Sequence, residues 1–412
     1  MRGPVSGARV ARLVGAAPRA VATLRQLPAR ARDAARGRLR GGREPDGGGR
    51  MTLGAAGDAQ TAPSRFVAVF EHPEVRGEVE RLACAEWGWG TPRAMRLQAL
   101  KWHRERCTFE LAIETTNGRY GAIAKVFDDD RSHVLPAMQA IRSAGFGAEA
   151  EFAIPRPLAY FPKWRVLLEE TVPGPSAKEK IVHGRASERR MAAERCGQWL
   201  ARFHAAAPRL GKPAAMEREF TRFATWRNQI ATFGEPFAGK CEQLFRSLQA
   251  ATPHGSVDTR AGHGSYIPEH VILSESRTVT IDLDECDVAD PSRDVAWFVV
   301  SVQRLALTQL GSLEALDDVV NAFLRAYHDS SEPGAARHLP FYRMLECLHR
   351  ARRDLVKRVP PVAAWAEIML DEGLRLAPRP QVEPDARAPR AAPEPAAPEC
   401  RPAPGPASTG RR

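Results

Sequence analysis

The sequence has no long apolar run, because none of its stretches reaches the 18 consecutive apolar residues that suggest a membrane-spanning helix. It also has no C-x-x-C spacing, and its seven cysteines are dispersed along the chain at positions 84, 107, 196, 241, 286, 347 and 400. Such a set argues against a disulfide framework and against a zinc site. These absences predict a cytoplasmic protein with reduced thiols and no membrane partner.

The central part of the chain lacks net charge, although the whole sequence carries +11. Residues 1–50 hold twelve Arg against three acidic residues, and residues 377–412 hold six Arg against four, which accounts for the full excess. A basic face for nucleic acid is therefore not expected on the folded part, and we predict no nucleic-acid partner. A nucleic-acid-associated function would rest on the Arg-rich N-terminal segment alone.

Composition divides the chain into four parts. Residues 1–64 are rich in Gly, Ala and Arg and poor in aromatic and β-branched residues, which predicts a disordered extension or a start upstream of Met51. Its Arg-rich, acid-poor composition also resembles an organelle transit peptide. Residues 377–412 contain ten prolines and are predicted to form a disordered tail. Between them we expect an N-lobe at residues 65–170 and a C-lobe at residues 171–376.

The first half of the body has the pattern of strands. Met95–Trp102 and Cys107–Thr115 alternate between apolar and polar residues, and Asn117-Gly118 predicts a tight hairpin that returns through Tyr120–Phe127. A helix is expected over Ser132–Ser143. Two more strands are expected at Leu158–Tyr160 and Arg165–Glu169.

The second half has the pattern of helices. One apolar stripe with helical spacing runs through Ala192, Cys196, Trp199, Leu200 and Phe203, and a similar stripe covers residues 316–327. The order of elements predicts an α+β fold with a small antiparallel β-rich N-lobe and a larger helical C-lobe.

The segment Gly262–Trp297 carries the residues best suited to chemistry. Val271–Leu273 and Val279–Leu283 are short apolar runs separated by polar residues, which predicts a β-hairpin. This hairpin would place His270 at its mouth and Asp282 near the end of its return strand. A helix is expected to begin near Asp294.

This segment resembles the catalytic and metal-binding segment of the aminoglycoside phosphotransferase and choline kinase family. His263-Gly264 matches the start of the family's H-G-D loop, and Asp282 stands at the distance of its metal-binding Asp. Asp290–Ala296 (DPSRDVA) matches the D-P-x-x-D-hydrophobic-A element that follows. Ala201–His204 (ARFH) looks like the end of the family's L-x-x-L-H helix, so that the resemblance extends over residues 95–376.

The resemblance implies a bilobal protein-kinase-like fold and phosphoryl transfer from ATP, with Mg²⁺, to a hydroxyl group of a small molecule. Such a transfer depends on positioning the triphosphate and neutralising its charge. Lys125 would pair with the α/β-phosphates, and Asp282 would hold Mg²⁺ with help from Asp284. Arg104 and Arg106 would lie near the loop that covers the phosphates.

Two further elements follow from the same resemblance. The segment Leu168–Val172, with Glu169 and Thr171, would be the interlobe hinge that holds adenine through backbone groups. Asp294 would hold the catalytic loop by hydrogen bonds, which is a structural role.

The sequence departs from the family's pattern at four points, one of which is that the turn Trp102–Arg106 contains no glycine. Ser265 stands at the catalytic Asp, and a hydroxyl is a poor general base at neutral pH. His270 stands at the Asn, and imidazole is a poorer Mg²⁺ ligand than an amide oxygen. Ser132–Ser143 contains no Asp or Glu, so Lys125 has no evident ion-pair partner.

These departures leave two functions open. The first is a working phosphotransferase, in which the His263, Ser265 and His270 loop faces the acceptor and Glu269 or Asp284 replaces the base. The second is a pseudokinase that binds nucleotide or a protein partner without transfer. Non-functional alternatives also exist for these residues. Lys125 would be a solvated lysine on a strand, His270 a loop histidine whose hydrogen bonds are all made within the loop, and the basic run at 350–358 a solvated helix face. The sequence determines neither the acceptor nor the oligomeric state.

Overall fold

The structure is a computed structural model that describes residues 52–55, 64–102, 105–211, 213, 216–254 and 257–378. The Arg104 prediction and most of the two predicted disordered segments lie outside the described residues. The described strands are β1 (Thr52–Ala55), β2 (Pro92–Trp102), β3 (Arg106–Thr115), β4 (Gly118–Phe127), β5 (Phe152–Ala153), β6 (Pro157–Phe161), β7 (Val166–Glu170), β8 (Arg260–Gly262), β9 (Val271–Leu273), β10 (Thr278–Thr280) and β11 (Asp287–Ala289).

The described α-helices are α1 (Ser64–Glu71), α2 (Pro73–Ala85), α3 (Val134–Ile141), α4 (Ala177–His183), α5 (Ala186–Ala206), α6 (Met216–Ala231), α7 (Phe237–Ala250), α8 (Ser292–Leu305), α9 (Asp317–Asp329), α10 (Leu339–Arg352) and α11 (Ala363–Arg375). Three of them continue into π-helical turns, at Arg142–Phe146, Ala306–Leu310 and Arg353–Lys357. No helix in the described part of the chain is long and apolar enough to cross a membrane.

The N-terminal half is built on a six-stranded sheet with the order β1-β2-β3-β4-β7-β6. Strand β3 buries alternate side chains (Cys107, Phe109, Leu111 and Ile113), so the period-2 pattern of its sequence corresponds to one core-facing side. The predicted hairpin between β3 and β4 is present. Its two loop residues are Thr116 and Asn117, one position earlier than Asn117-Gly118, because Thr115 pairs with Gly118.

Two features of this half differ from the sequence-based expectation. Thr52–Ala55, inside the segment predicted to be disordered, pairs in parallel with Ala94–Leu97. A strand joins a sheet edge through backbone hydrogen bonds, which composition alone does not reveal. Helices α1 and α2 were not predicted, although Val75, Val79, Leu82 and Ala83 have helical spacing and are buried against the sheet core.

The C-terminal half is helical, and its centre is the pair α5 and α9. The predicted stripe on α5 is buried, and so are most residues of the stripe on residues 316–327. Gly197 lets the two helices approach closely, because a Cβ atom there would lie 2.5 Å from the carbonyl oxygen of Phe323. A second core joins α6, α7, α10 and α11. The bilobal α+β architecture expected from the sequence is confirmed.

Two small sheets at the boundary of the two halves position the candidate site. Strands β5, β10 and β9 form one sheet, in which β9 and β10 are the predicted hairpin. Strands β8 and β11 pair antiparallel and hold the ends of the segment Gly262–Ala289 together. The turn after β10 contacts the sheet of the N-terminal half, because Asp284 pairs with Arg106 on β3 and with Lys125 on β4.

Candidate active site

Lys125 lies in the middle of the sheet on β4, and its side chain is only 5% exposed. Its Nζ atom lies 2.9 Å from Asp284 Oδ1, 3.0 Å from Glu169 Oε1 and 3.3 Å from Asp282 Oδ1. Burial works against the charged form of Lys125, but the carboxylates of Asp284, Glu169 and Asp282 outweigh it and raise its pKa. Lys125 is therefore a buried, permanently charged ammonium group and not a solvated strand lysine.

The partner of Lys125 corrects the expectation that none was evident. The predicted helix Ser132–Ser143 contains no acid, but Glu169 comes from β7, which pairs with β4. Lys125 lies opposite Leu167, and Glu169 is two residues further, so period-2 alternation places both charged side chains on one face of the sheet. This signal was present in the sequence. It depends on the pairing of β4 with β7, which local patterns do not give.

Glu169 and Thr171 were predicted to contribute backbone groups to a nucleotide hinge. The structure directs the Glu169 carboxylate to Lys125, and burial raises the pKa of Glu169. Thr171 follows β7, and its amide donates to the carbonyl oxygen of Gly121 at 3.5 Å. Both residues line the cleft, where the Thr171 hydroxyl is buried without a hydrogen-bond partner among the described residues.

Arg106 is the second cation of the cluster. It begins β3, and its Nη1 atom lies 2.5 Å from Asp284 Oδ2 and 3.2 Å from Asp282 Oδ1. Burial works against the charge of Arg106, but Asp282 and Asp284 raise its pKa. Two cations and three carboxylates thus meet between the sheet and the segment after β10.

Asp282 has an unusual backbone conformation. Its φ angle is 65°, and among the described residues only one other non-glycine residue, Arg165, has a positive φ. Such a conformation costs on the order of 1–3 kcal/mol and is retained where the surroundings enforce it, often at functional sites. Burial opposes the ionised form of Asp282, but the charges of Lys125 and Arg106 lower its pKa, so the carboxylate stays charged.

The loop from His263 to His270 is held by Asp294. Asp294 Oδ2 accepts the amide of His263 at 2.6 Å, and Oδ1 accepts the amide of Gly264 at 3.0 Å. Gly264 has a φ of 80°, and a Cβ atom there would lie 2.3 Å from the carbonyl oxygen of Glu285. The hydrogen bonds expected of Asp294 are present, and glycine is the residue that this turn accepts.

His263 is neutral and held by its backbone neighbours. Burial lowers its pKa. Its Nε2 lies 3.1 Å from the carbonyl oxygen of Ile281, which can only accept, so Nε2 carries the proton and Nδ1 is an acceptor. The Ser265 hydroxyl lies 3.5 Å from that Nδ1. In the described part of the chain, Nδ1 of His263 is the one hydrogen-bond partner of this hydroxyl.

His270 faces Asp282. Its Nδ1 lies 3.0 Å from the carbonyl oxygen of Ser265 and must donate to it, which leaves Nε2 pointing at Asp282 Oδ2 at 3.3 Å. Burial lowers the pKa of His270 to about 4, so the ring is neutral at pH 7. Two acceptors, Nε2 and Oδ2, therefore face each other without a proton between them.

Of the three predicted metal ligands, the structure brings two together. Asp282 and His270 adjoin each other, whereas both oxygens of Asp284 are turned to Lys125 and Arg106. Among the described residues, no group of three or more His, Cys, Asp or Glu side chains is arranged to hold a metal ion. The carboxylate proposed as a replacement base, Glu269, is paired with Lys178 at 3.0 Å.

Two cavities meet at this loop. The first, of about 300 Å³, lies between the sheet and the β9–β10 hairpin and is lined by Arg106, Lys125, Glu169, Thr171 and Asp282, among others. The second, of about 490 Å³, lies in the helical half. Lys101, Glu269 and His270 line both cavities, so the second opens beside the charged cluster of the first.

Comparison with protein families agrees with this arrangement. The sequence profile of the phosphotransferase enzyme family matches residues 98–345, which is more than half of the chain. The chain belongs to the phosphotransferase enzyme family. This membership confirms the resemblance noted from His263-Gly264, Asp282 and Asp290–Ala296, and with it the prediction of a kinase-type phosphotransferase. Comparison with curated protein sequences gives no match.

Solved structures of this phosphotransferase family share the fold. A choline/ethanolamine kinase family protein from Mesorhizobium loti superimposes with a TM-score of 0.51 and 14% identity, covering 74% of this chain and 95% of that chain. A thermostable mutant of an aminoglycoside phosphotransferase gives 0.50 and 16%, covering 72% and 98%. A choline kinase from Cryptosporidium parvum gives 0.50 and 11%, covering 74% and 95%. The predicted kinase-like fold is confirmed by these similarities.

Proposed function

We propose that this phosphotransferase uses ATP and Mg²⁺ to phosphorylate a hydroxyl group of a small molecule, with Ser265 in place of the usual catalytic Asp. The observation that carries the proposal is the buried Lys125, held against Asp282 and Asp284 beside the His263–His270 loop. Burying three carboxylates with two cations carries a desolvation cost, so stability alone gives little reason to keep the cluster. Phosphoryl transfer gives such a reason, because it depends on positioned charge.

The first cavity has the composition of a nucleotide cleft. Ile123 on the sheet and Ile272 and Ile281 on the hairpin provide apolar walls on opposite sides, which suits a flat base. Lys125 and Arg106 lie at one end, where they would contact the phosphates while Asp284 keeps them in place. The residues Glu170 to Val172 line the cavity and would supply backbone groups to the base, as the sequence suggested.

The residues present fit a divalent cation in part. Asp282 Oδ2 and His270 Nε2 face each other as two bare acceptors, an arrangement that a cation between them would stabilise. We propose that these two residues hold Mg²⁺ together with phosphate oxygens, and that Asp284 orients Lys125 and Arg106. When bound, Mg²⁺ would neutralise charge on the triphosphate.

Ser265 is a weak substitute for a general base. Among the residues that the structure describes, its hydroxyl has one hydrogen-bond partner, the neutral His263, whose lowered pKa makes the ring a poor proton acceptor. The transition state of phosphoryl transfer is loose, and the bond to the acceptor oxygen is little formed in it. A general base is therefore helpful but not indispensable. We therefore propose a slow enzyme, whose rate lacks the ~10²–10⁴-fold contribution of a general base.

A pseudokinase is the second candidate, and Ser265 is the observation that favours it. Each charge of the cluster has a partner among the described protein side chains. A protein that only senses nucleotide would keep the Lys125 and Asp282 contacts and need no base.

The experiment that tests the proposal is a transfer assay on the full-length protein. ³¹P NMR of ATP, Mg²⁺ and a panel of hydroxylated compounds would follow the appearance of a phosphate ester, with Asp282→Asn as the inactive comparison and Asp129→Asn as a surface control. We expect an ester with the wild type and the control and none with Asp282→Asn. Nucleotide binding without any ester across the panel would instead establish the pseudokinase.

A further inference from the structure

The second cavity is a basic pocket at the place where an acceptor would bind. It lies between α8, the π-helical turn after α10, and Trp365 of α11. Lys101, Glu269 and His270 are shared with the nucleotide cleft, and His270 contacts Asp282. A molecule in this pocket would thus have its nearest end beside the phosphoryl group of a nucleotide bound in the first cavity. A volume of about 490 Å³ suits a small molecule and not a macromolecule.

The charge of the pocket is strongly one-sided. Six cationic side chains line it (Lys101, Arg304, Arg350, Arg353, Lys357 and Arg358), against two acidic ones (Glu269 and Asp354). Both acids are already occupied, since Asp354 binds Arg304 and Glu269 binds Lys178 at 3.0 Å. Within the described ranges, Lys101, Arg353 and Lys357 make no ion pair. The neutral charge of the body as a whole therefore conceals a local positive site.

The pocket combines exposed and buried cations. Arg353, Lys357 and Arg358 are exposed, as expected for the solvated helix face predicted for residues 350–358. Arg304 and Arg350 are instead built into the fold. The side chains of Arg304 and Arg350 are each 12% exposed. The Arg304 guanidinium lies 4.5 Å from the centre of the Trp365 ring, and that of Arg358 lies 4.7 Å from it. Arg350 is fixed by Glu346 at 2.6 Å and by the Ser301 hydroxyl at 2.8 Å.

The two buried arginines of the pocket each have one carboxylate partner, but a donor of Arg304 is left over. Nη1 of Arg304 is buried and has no hydrogen-bond partner among the described residues. Burial and the charges of Arg350 and Arg358 also lower the pKa of Arg304, which shows that neighbouring cations disfavour one another. An unpaired buried donor destabilises the folded state, and an anion that accepted its hydrogen bond would remove that penalty.

The geometry points to an acceptor that carries negative charge: a small hydroxylated molecule with a phosphate ester or a carboxylate group. Guanidinium groups bind both through paired hydrogen bonds. An ammonium-bearing acceptor would meet like charge on most sides of the pocket. This inference rests on the proposed phosphotransferase function for the role of the pocket, although the pocket's preference for anions does not depend on it.

The reaction of such an acceptor is a simple exchange of bonds. Its hydroxyl oxygen forms a bond to the γ-phosphorus of ATP, and the bond from that phosphorus to the bridging oxygen breaks. ADP leaves with the electron pair of the broken bond, and the hydroxyl proton passes to solvent. The anionic group stays with the arginines and holds the hydroxyl in place.

Binding measurements on the full-length protein test the inference. Isothermal titration in saturating Mg²⁺–ADP, which fills the nucleotide cleft, would use glycerol 3-phosphate and glycerate as the phosphate and carboxylate probes and choline as the cationic one. We expect one or both anions to bind and choline not to bind. The double variant Arg353→Gln/Lys357→Gln removes two exposed, unpaired cations and should fold normally. It should weaken anion binding at least about tenfold, the equivalent of one charge-assisted hydrogen bond.

Two comparisons make the result decisive. Arg325→Gln removes an exposed arginine of α9, which is not part of the pocket, and should leave binding unchanged. Asp282→Asn should lose nucleotide binding but keep anion binding measured without ADP, because Asp282 does not line the pocket. Anion binding no tighter than choline binding, or unchanged in the double variant, overturns the inference and leaves the proposed transfer function untouched. Absent nucleotide binding with intact anion binding overturns only the proposed function.

Discussion

At the scale of single residues, the charge balance of the site depends on which carboxylates pair with Lys125. Glu169, Asp284 and Asp282 come from β7 and from the segment after β10, and they converge on one ammonium group. The sequence identified Lys125, Asp282 and Asp284 as a set but left Lys125 without a partner. The sequence placed Glu169 in the hinge and not beside Lys125, because the register between β4 and β7 depends on packing across the 38 intervening residues, 128–165.

Replacing Lys125 tests the charge balance of this cluster. Lys125→Met leaves buried carboxylates without their cation, and we expect the free energy of unfolding to fall by about 3–5 kcal/mol. Urea denaturation at pH 7 would measure it. Lys163→Met is the matched control, since Lys163 makes a single exposed pair with Glu74 at 2.6 Å and should cost well under ~1 kcal/mol. Equal losses in the two variants would contradict a buried cluster.

Ser265 separates the two candidate functions at the residue scale. In a working transferase with a weak base, Ser265→Asp restores a carboxylate beside the acceptor and should hold turnover steady or raise it. Steady-state transfer rates with the acceptor found by ³¹P NMR would measure it. Turnover reduced tenfold or more, with nucleotide affinity unchanged, would show that the hydroxyl itself is required and would contradict the role proposed for Ser265.

At the scale of elements, the loop and the helix pair depend on backbone contacts that sequence patterns describe only in part. The Asp290–Ala296 motif predicted the helix after the loop, and α8 begins at Ser292. The motif also gave the role of Asp294, because its carboxylate accepts two amides of the loop. The close approach of α5 and α9 had no such signal, since a helical glycine is ambiguous in sequence.

Asp294 gives a prediction about pH. Burial opposes its ionised form, but hydrogen bonding from His204 and the charge of Arg293 lower its pKa. A group with a lowered folded-state pKa contributes stability above its unfolded pKa of about 3.9 and loses it as the pH falls towards the folded value. Asp294→Asn should therefore destabilise the protein by about 1–3 kcal/mol between pH 5 and 8, and the difference should shrink below pH 4.

Chemical denaturation of the wild type and Asp294→Asn across that range would measure the effect. Asp129→Asn makes the same chemical change at an exposed position, and its effect on stability should not depend on pH in this way. A stability difference that stays constant down to pH 3 would contradict a charged Asp294 in the folded state.

Two glycines in helices give opposite predictions at this scale. In Gly77→Ala on α2, the added Cβ meets nothing within 4 Å, so the better helix propensity should stabilise the protein by about 0.5–1 kcal/mol. In Gly197→Ala on α5, the Cβ would lie 2.5 Å from the Phe323 carbonyl oxygen and should destabilise it by about 1–3 kcal/mol. Thermal unfolding of both variants would measure the signs. A stabilising Gly197→Ala would contradict the close packing of α5 and α9.

At the scale of the whole molecule, local patterns were sufficient for the fold class but not for the pockets. Alternating strands before amphipathic helices predicted the bilobal architecture, and a motif of ordered spacing predicted the family. Local sequence patterns do not predict the basic pocket, because its arginines come from α8, α10 and the turn that follows α10. Within its own segment, each of them has the pattern of a solvated residue. The net charge of residues 51–376 is zero, and this sum does not show a local cluster of positive charge either.

We propose that the cleft between the two halves binds nucleotide through a Mg²⁺-dependent contact to Asp282. The most direct measurement is a thermal-shift titration of the full-length protein with ATP and ADP, with and without Mg²⁺, for the wild type, Asp282→Asn and the surface control Asp129→Asn. Saturation at a hundredfold excess over Kd should stabilise the wild type and the control by about 2.7 kcal/mol, only when Mg²⁺ is present. The shift should vanish in Asp282→Asn. No shift in the wild type, or a shift that ignores both Mg²⁺ and Asp282, would contradict the account.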